Sequence, residues 1–183
     1  HGLPGCSAGR ARLASGSPDP NPGPDARYLE TTGVRDGSEW GINGVKRFNS
    51  GLHHATHDIV FARTSGEPGS PVGITAFLVP TDAEGFTVDF FWWTFNMPTD
   101  HAEVTLHDVR VSANGVFGEV DHGLEHAQHF VHDNRNLPAA SSLGAGRLRI
   151  HAAVAYAKHR PRLTNTPTPT QPTPHPPLHL PPH

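Results

Sequence analysis

The sequence predicts a mainly β fold with added α structure: an antiparallel, barrel-like β-domain followed by two helices, with irregular Pro-rich ends. Three observations carry this. Seven short segments rich in β-branched and aromatic residues follow one another between residues 28 and 111, separated by turn residues and not by helices, as in a barrel or sandwich. Beyond Gly118 the apolar residues change to helical spacing. Of the 19 prolines, five lie within residues 1–25 and eight within 164–183, which leaves the middle of the 183-residue chain to form its core. The boundaries expected are an irregular leader at 1–27, the β-domain at 28–118, a helical part at 119–160 and a disordered Pro/Thr/His-rich tail at 161–183.

Taken in order, Tyr28–Arg35, Ser38–Ile42 and Val45–Ser50 read as three strands joined at Asp36-Gly37 and Asn43-Gly44. Both dipeptides supply the positive φ angles of tight hairpin turns, so a meander is expected here. Asp58–Thr64, Val72–Pro80, Gly85–Phe95 and Ala102–Val111 follow as further strands, separated by loops with Gly, Pro, Ser or Asp. Two helices are expected at Gly123–Arg135 and Ala139–Arg160. Pro138 marks the start of the second, where a missing amide donor costs little. From Pro161 onward the only periodicity is proline spacing, which reads as polyproline-like or disordered.

Length and charge narrow the function classes. The chain has the size of one domain. Fourteen Lys and Arg against 17 Asp and Glu give a net charge of −3 without single-sign runs, so the basic footprint of a nucleic-acid binder is missing. No apolar run reaches the roughly 18 residues of a membrane span, and the chain opens on neither Met nor a signal-peptide core. It therefore reads as a soluble fragment. Cys6 stands alone and cannot form an internal disulfide, consistent with a reducing compartment.

The run Thr31–Gly51, TTGVRDGSEWGINGVKRFNSG, closely resembles the central β-domain of the acyl-CoA dehydrogenase family. Gly73–Pro80 (GITAFLVP) and Pro98–Val111 (PTDHAEVTLHDVRV) look like two more segments of that domain. Gly118–Gly123 and Ala153–Lys158 resemble the entry to the family's C-terminal helical domain. These motifs occur in the family's order across residues 25–160.

The resemblance implies an FAD-dependent enzyme that oxidises acyl-CoA thioesters to trans-2-enoyl products and passes electrons to an electron-transferring flavoprotein. It also implies a homo-oligomer in the cytoplasm or mitochondrial matrix. The family's Trp-Ile-Thr stretch beside the flavin corresponds to Phe48, Asn49 and Ser50. Phe48 keeps an apolar wall and Ser50 keeps a hydroxyl. Ser17, in Ser17-Pro18-Asp19, stands where the family has the first residue of its Thr-Glu-Pro flavin loop, although most ligand groups of that loop are absent. Arg135 matches a position near the acyl-thioester pocket; an exposed ion pair is its other reading. Downstream, Tyr156-Ala-Lys-His-Arg-Pro lacks the family's further Arg and Phe-Gly pair. The family's catalytic Glu belongs to a region later than this chain, and Glu119, Glu125 and Asp133 do not inherit its role. No catalytic residue is assigned, and the chain alone is expected to be inactive.

Other constellations add less. His122, His126 and His129 share one helical face, yet no second cluster supports a metal, and none is assigned. His53, His54 and His57 read as solvated loop. Phe90, Phe91, Trp92, Trp93 and Phe95 read as core or interface packing in the absence of a basic groove. A different class of function is a non-catalytic chain whose Pro-rich tail binds an aromatic-grooved partner. The swing in composition at both ends further leads us to expect that the two ends are translated out of frame.

Overall fold

The computed structural model describes residues 11–16, 18–23, 25–94 and 97–160. Strands are β1 (Leu13–Gly16), β2 (Thr32–Asp36), β3 (Glu39–Ser50), β4 (His57–Arg63), β5 (Ile74–Pro80), β6 (Phe86–Thr94) and β7 (Met97–Ser112), followed by helix α1 (Gly123–His159). Short 3-10 turns lie at Ala26–Tyr28 and Ala113–Gly115. The chain divides into two units, residues 1–131 and 132–183.

The first unit is one mixed sheet of seven strands, in the order β1-β4-β2-β3-β7-β6 with β5 against β4. β1 and β2 share the space between β3 and β4. β1 runs parallel to β4 from Leu13↔His57 to Gly16↔Val60 and meets β3 at Ser15↔Ser50. β2 pairs antiparallel with β3 from Thr32↔Asn43 to Asp36↔Glu39 and touches β4 only at Thr32↔Arg63. Between the end of β1 and the start of β2 the lane is interrupted, so backbone groups of β3 and β4 face a gap there. Loop 18–31 closes part of it, with the Arg47 amide donating to Pro18 O (3.0 Å) and the Arg63 amide to Thr31 O (2.8 Å).

Alternation along the strands makes two cores. Trp40, Ile42, Val60, Phe77, Val79, Val104 and Val109 pack on one side, with the Trp40 and Phe77 rings 5.4 Å apart. Leu29, Phe61, Ile74, Ala76 and Ala127 pack on the other, where the first turns of α1 bring Ala127 and Leu124 against the sheet. β4 and β5 are thus buried on both faces, which explains their near-continuous apolar runs.

Several expectations change. The Asp36-Gly37 hairpin forms, with Gly37 at φ 61°. Asn43-Gly44 is not a turn: β3 runs through it, and the register against β7 shifts there as a β-bulge. Asn43 Oδ1 accepts the Asp108 amide of β7 (2.8 Å), a partner that sequence-local reasoning does not supply. Gly44 (φ 155°) passes so close to Thr31 that a Cβ would lie 2.7 Å from its Cα.

The meander and barrel become an open mixed sheet, because β1 and β2 run parallel to β4 and the described residues place no strand outside β5 or β6. The stretch read as an irregular leader contains β1, a strand too short to announce itself and held by its pairing with β4. The two helices are one. Pro138 lies inside α1, and the Asn134 carbonyl that it leaves without a donor is on an exposed residue, where water replaces the bond. In the second unit α1 exposes Leu137, Leu143, Leu148 and Tyr156. Cys6 and the tail 161–183 lie outside the described residues.

Gly44→Ala is expected to destabilise the chain by about 1–3 kcal/mol through overpacking against Thr31. An unchanged urea midpoint would count against this close approach.

Candidate functional site

At the gap in the sheet, β3 presents Lys46, fully buried. Its Nζ donates to Asp19 Oδ1 (2.5 Å) and to the Phe61 carbonyl of β4 (2.7 Å), which the interrupted lane leaves without a strand partner. Asp19 also gathers the loop: it accepts the amides of Glu30 (2.6 Å) and Thr31 (2.7 Å) and the Thr31 hydroxyl (3.1 Å). Burial pushes the Lys46 ammonium below its usual range, and the adjoining Asp19 pulls it back.

Three residues further along β3, Asn49 is also fully buried and its Nδ2 donates to Asp58 Oδ2 (2.5 Å) of β4. Burial raises the Asp58 carboxyl from 3.8 to about 6, against the opposing pull of Asn49, Lys46 and the Gly16 and Ile59 amides. Gly16 leaves room for the pair, since a Cβ there would stand 2.8 Å from Asn49 Nδ2.

Between these anchors the register against β7 shifts again, from Arg47↔Glu103 to Asn49↔Ala102, leaving Phe48 as the extra residue of a bulge at φ 61°. Such a φ is an outlier for a bulky side chain. The bulge turns the Phe48 ring outward, 5.5 Å from Trp92, over which the Arg47 guanidinium also lies (5.2 Å). Ser50 Oγ is 2.7 Å from His101 Nδ1 and 3.4 Å from the Phe48 carbonyl.

Phe48 and Ser50 both face a cavity of about 770 Å³, within the range of small-molecule sites. It is lined mainly by apolar groups, among them Leu29, Phe61, Phe117 and Phe130. Two carboxylates reach it, and both are committed elsewhere. Asp19 holds Lys46 and the loop. Asp25 pairs with Arg27 (2.7 Å), whose hydrogen bonds hold its carboxyl below the usual range. His126 and His129 also line the cavity, His126 packing edge-on to Phe117 at 5.5 Å. Among the described residues no three His, Cys, Asp or Glu side chains converge as a metal site.

The structure thus brings Phe48 and Ser50 together and turns Asn49 away from them into the core. Ser17 lies outside the described residues, and Arg135 is an exposed residue of α1 in the second unit. Of the aromatic stretch, Phe90, Phe91 and Trp93 are exposed, so of the two readings, core or interface packing, they do not follow the first. Lys46, Asp19, Asp58 and His101 escaped the sequence reading. The available signal was that Lys46 closes the Ile42-Asn43-Gly44-Val45-Lys46 stretch of the family-like run, which marks the residue without showing that it is buried.

The family model for the acyl-CoA dehydrogenase middle domain matches residues 14–109, more than half of the chain. The chain belongs to the acyl-CoA dehydrogenase family. It is 34% identical over 158 residues to the acyl-CoA dehydrogenase fadE12 of Mycobacterium bovis, covering 86% of this chain and 41% of that protein. The ChsE4-ChsE5 complex of Mycobacterium tuberculosis contains a similar chain, with TM-score 0.64, 31% identity and coverage of 72% and 33%. A probable acyl-CoA dehydrogenase of Mycobacterium abscessus shares the fold at TM-score 0.76 and 23% identity, over 88% and 43%. This acyl-CoA dehydrogenase family chain therefore spans about two fifths of the length of the curated relative it matches. Its relatives are oxidoreductases, and none of its described helices is long and apolar enough to cross a membrane.

Removing one partner of the buried pair leaves an uncompensated charge, so Lys46→Met should cost about 3–5 kcal/mol, and adding Asp19→Asn should recover part of it. Urea unfolding of both variants checks this; a loss under about 1 kcal/mol, as for surface pairs, would contradict it.

Asp58 gives a pH signature of known sign. Its folded carboxyl binds a proton more tightly than the unfolded one. Its contribution to stability is therefore fully present below about pH 3.8 and is lost as pH rises through about 6, on the order of 3 kcal/mol in all. Asp58→Asn should remove this component. Identical stability-against-pH slopes for the two proteins between pH 4 and 6 would contradict it.

Proposed function

We propose that this chain is the flavin-facing β-domain of an FAD-dependent acyl-CoA dehydrogenase, taking part in α,β-dehydrogenation of acyl-CoA thioesters. The observation that carries the reading is the placement of Phe48 and Ser50 side by side on the wall of an apolar cavity. Their chemistry fits a flavin: a planar ring, largely apolar on its faces and hydrogen-bonding at its edge, suits one aromatic side chain and one hydroxyl among apolar neighbours.

When bound, FAD supplies the acceptor for the hydride leaving the acyl β-carbon. The chain's own residues bind and orient. Phe48 covers an apolar face and keeps water from it, and Ser50 offers its hydroxyl to a ring-edge heteroatom. In the tautomer that carries its proton on Nδ1, His101 donates to Oγ and leaves the Ser50 O–H for that contact. Ser17 and Arg135 enter as flavin and thioester contacts from the family's motifs alone. An electron-transferring flavoprotein as electron acceptor, a homo-oligomeric assembly and a reducing compartment, cytoplasm or mitochondrial matrix, belong to the same reading.

The chain by itself is proposed to be inactive. Removing the α-proton needs a carboxylate within hydrogen-bond reach of it. Asp19 and Asp25 are tied to Lys46 and Arg27 and do not serve.

Titrating the purified chain with FAD tests the proposal. Quenching of flavin fluorescence is expected, weakened about 2- to 10-fold by Ser50→Ala, the value of one lost hydrogen bond. No acyl-CoA should be turned over with an artificial electron acceptor. Equal FAD affinity of the two proteins, or turnover by the chain alone, would overturn the respective part.

A further inference from the structure

The pair behind the cavity wall carries an unsolved hydrogen-bond problem. Asn49 Nδ2 donates to Asp58 Oδ2, and the other two oxygens, Asn49 Oδ1 and Asp58 Oδ1, are both buried without a partner. Two acceptors cannot satisfy each other. One proton on Asp58 Oδ1 resolves both at once: a carboxylic acid and a carboxamide then join through two hydrogen bonds in a closed ring, N–H to one carboxyl oxygen and O–H to the amide oxygen. Without it, two buried oxygens remain without a hydrogen bond, an arrangement that native interiors avoid, although the Gly16 and Ile59 amides pull the carboxyl toward its charged form.

Asn49 is the residue between Phe48 and Ser50. Its side chain is the anchor that holds the strand where Phe48 stands at φ 61° in a bulge, a conformation that persists only when its surroundings fix it. We propose that Asn49 and Asp58 are positioning residues that share a proton, and that this closed pair keeps Phe48 and Ser50 facing the cavity. The functional consequence rests on the cavity's reading as a flavin site; the pair itself does not.

Loss of the proton breaks the O–H bond of the ring and puts a carboxylate near Lys46. Asp58 is then drawn toward the ammonium, Asn49 loses one of its two bonds, and the Phe48 bulge loosens. The charged groups around Asp58 are few. β3 contributes Lys46, which is itself paired with Asp19 of the loop, while β1 and β5, on either side of β4, contain no ionisable side chain. Independent support comes from the burial that raises the Asp58 carboxyl.

The test follows the Asp58 side-chain carboxyl carbon and the Phe48 and Ser50 amides by NMR in the purified chain without FAD, from pH 4 to 8. The expected result is an Asp58 midpoint near 6, with both amides shifting at that same midpoint, and no such shift in Asp58→Asn, whose amide keeps a closed pair. An Asp58 midpoint near the ordinary value of about 4, or amides that stay still while Asp58 titrates, overturns the proposal. Flavin titration at pH 5 and 7.5 adds the functional arm, with affinity falling about 2- to 10-fold at the higher pH in the wild type and not in Asp58→Asn. Absence of FAD binding at both pH values would overturn the flavin reading, while the amide shifts still decide the pair.

Discussion

A lysine ammonium removed from water must find acceptors, and Lys46 finds them where the sheet is broken. β1 and β2 leave a gap between β3 and β4, and in that gap a backbone carbonyl of β4 would be orphaned. The Lys46 ammonium fills it, bonding Phe61 O on one side and Asp19 on the other. Asp19 in turn collects the Glu30 and Thr31 amides and so folds loop 18–31 onto the sheet. That loop forms part of the cavity, through Pro18, Pro22 and Leu29. One charge pair therefore replaces a missing stretch of strand and holds the loop that lines part of the cavity. Buried pairs of this kind often add little net stability compared with an apolar filling.

The second buried pair acts on the same strand. Asn49 points inward to Asp58 while its neighbours on both sides point outward, and the bulge at Phe48 adds one residue to β3, so that Lys46 and Asn49, three positions apart, are both buried. Placement of the aromatic ring and the hydroxyl thus depends on groups outside the cavity.

What could be read from the sequence was what local chemistry decides. Asp36-Gly37 demanded a hairpin because Gly supplies the positive φ that the turn needs, and the apolar runs of β4 and β5 announced buried strands. The same dipeptide logic misjudged Asn43-Gly44, since what converts it into a bulge is the Asp108 amide 65 residues away. Pro138 argued for a helix start, yet its missing donor matters little on a solvated helix. Phe48 and Ser50 were reached through the family's motif. Lys46, Asp19 and Asp58 were not, because a charge is recognised as buried only once its partner, 27 residues distant for Asp19 and Lys46, is in place.

Amide hydrogen exchange measures the central dependence directly. If Asp19 and Lys46 hold loop 18–31 to the sheet, the Glu30 and Thr31 amides exchange only on global unfolding, as slowly as the Val60 and Phe77 amides between β4 and β5. Exchange of Glu30 and Thr31 at the rate of exposed loop amides, while Val60 and Phe77 stay protected, would contradict the account.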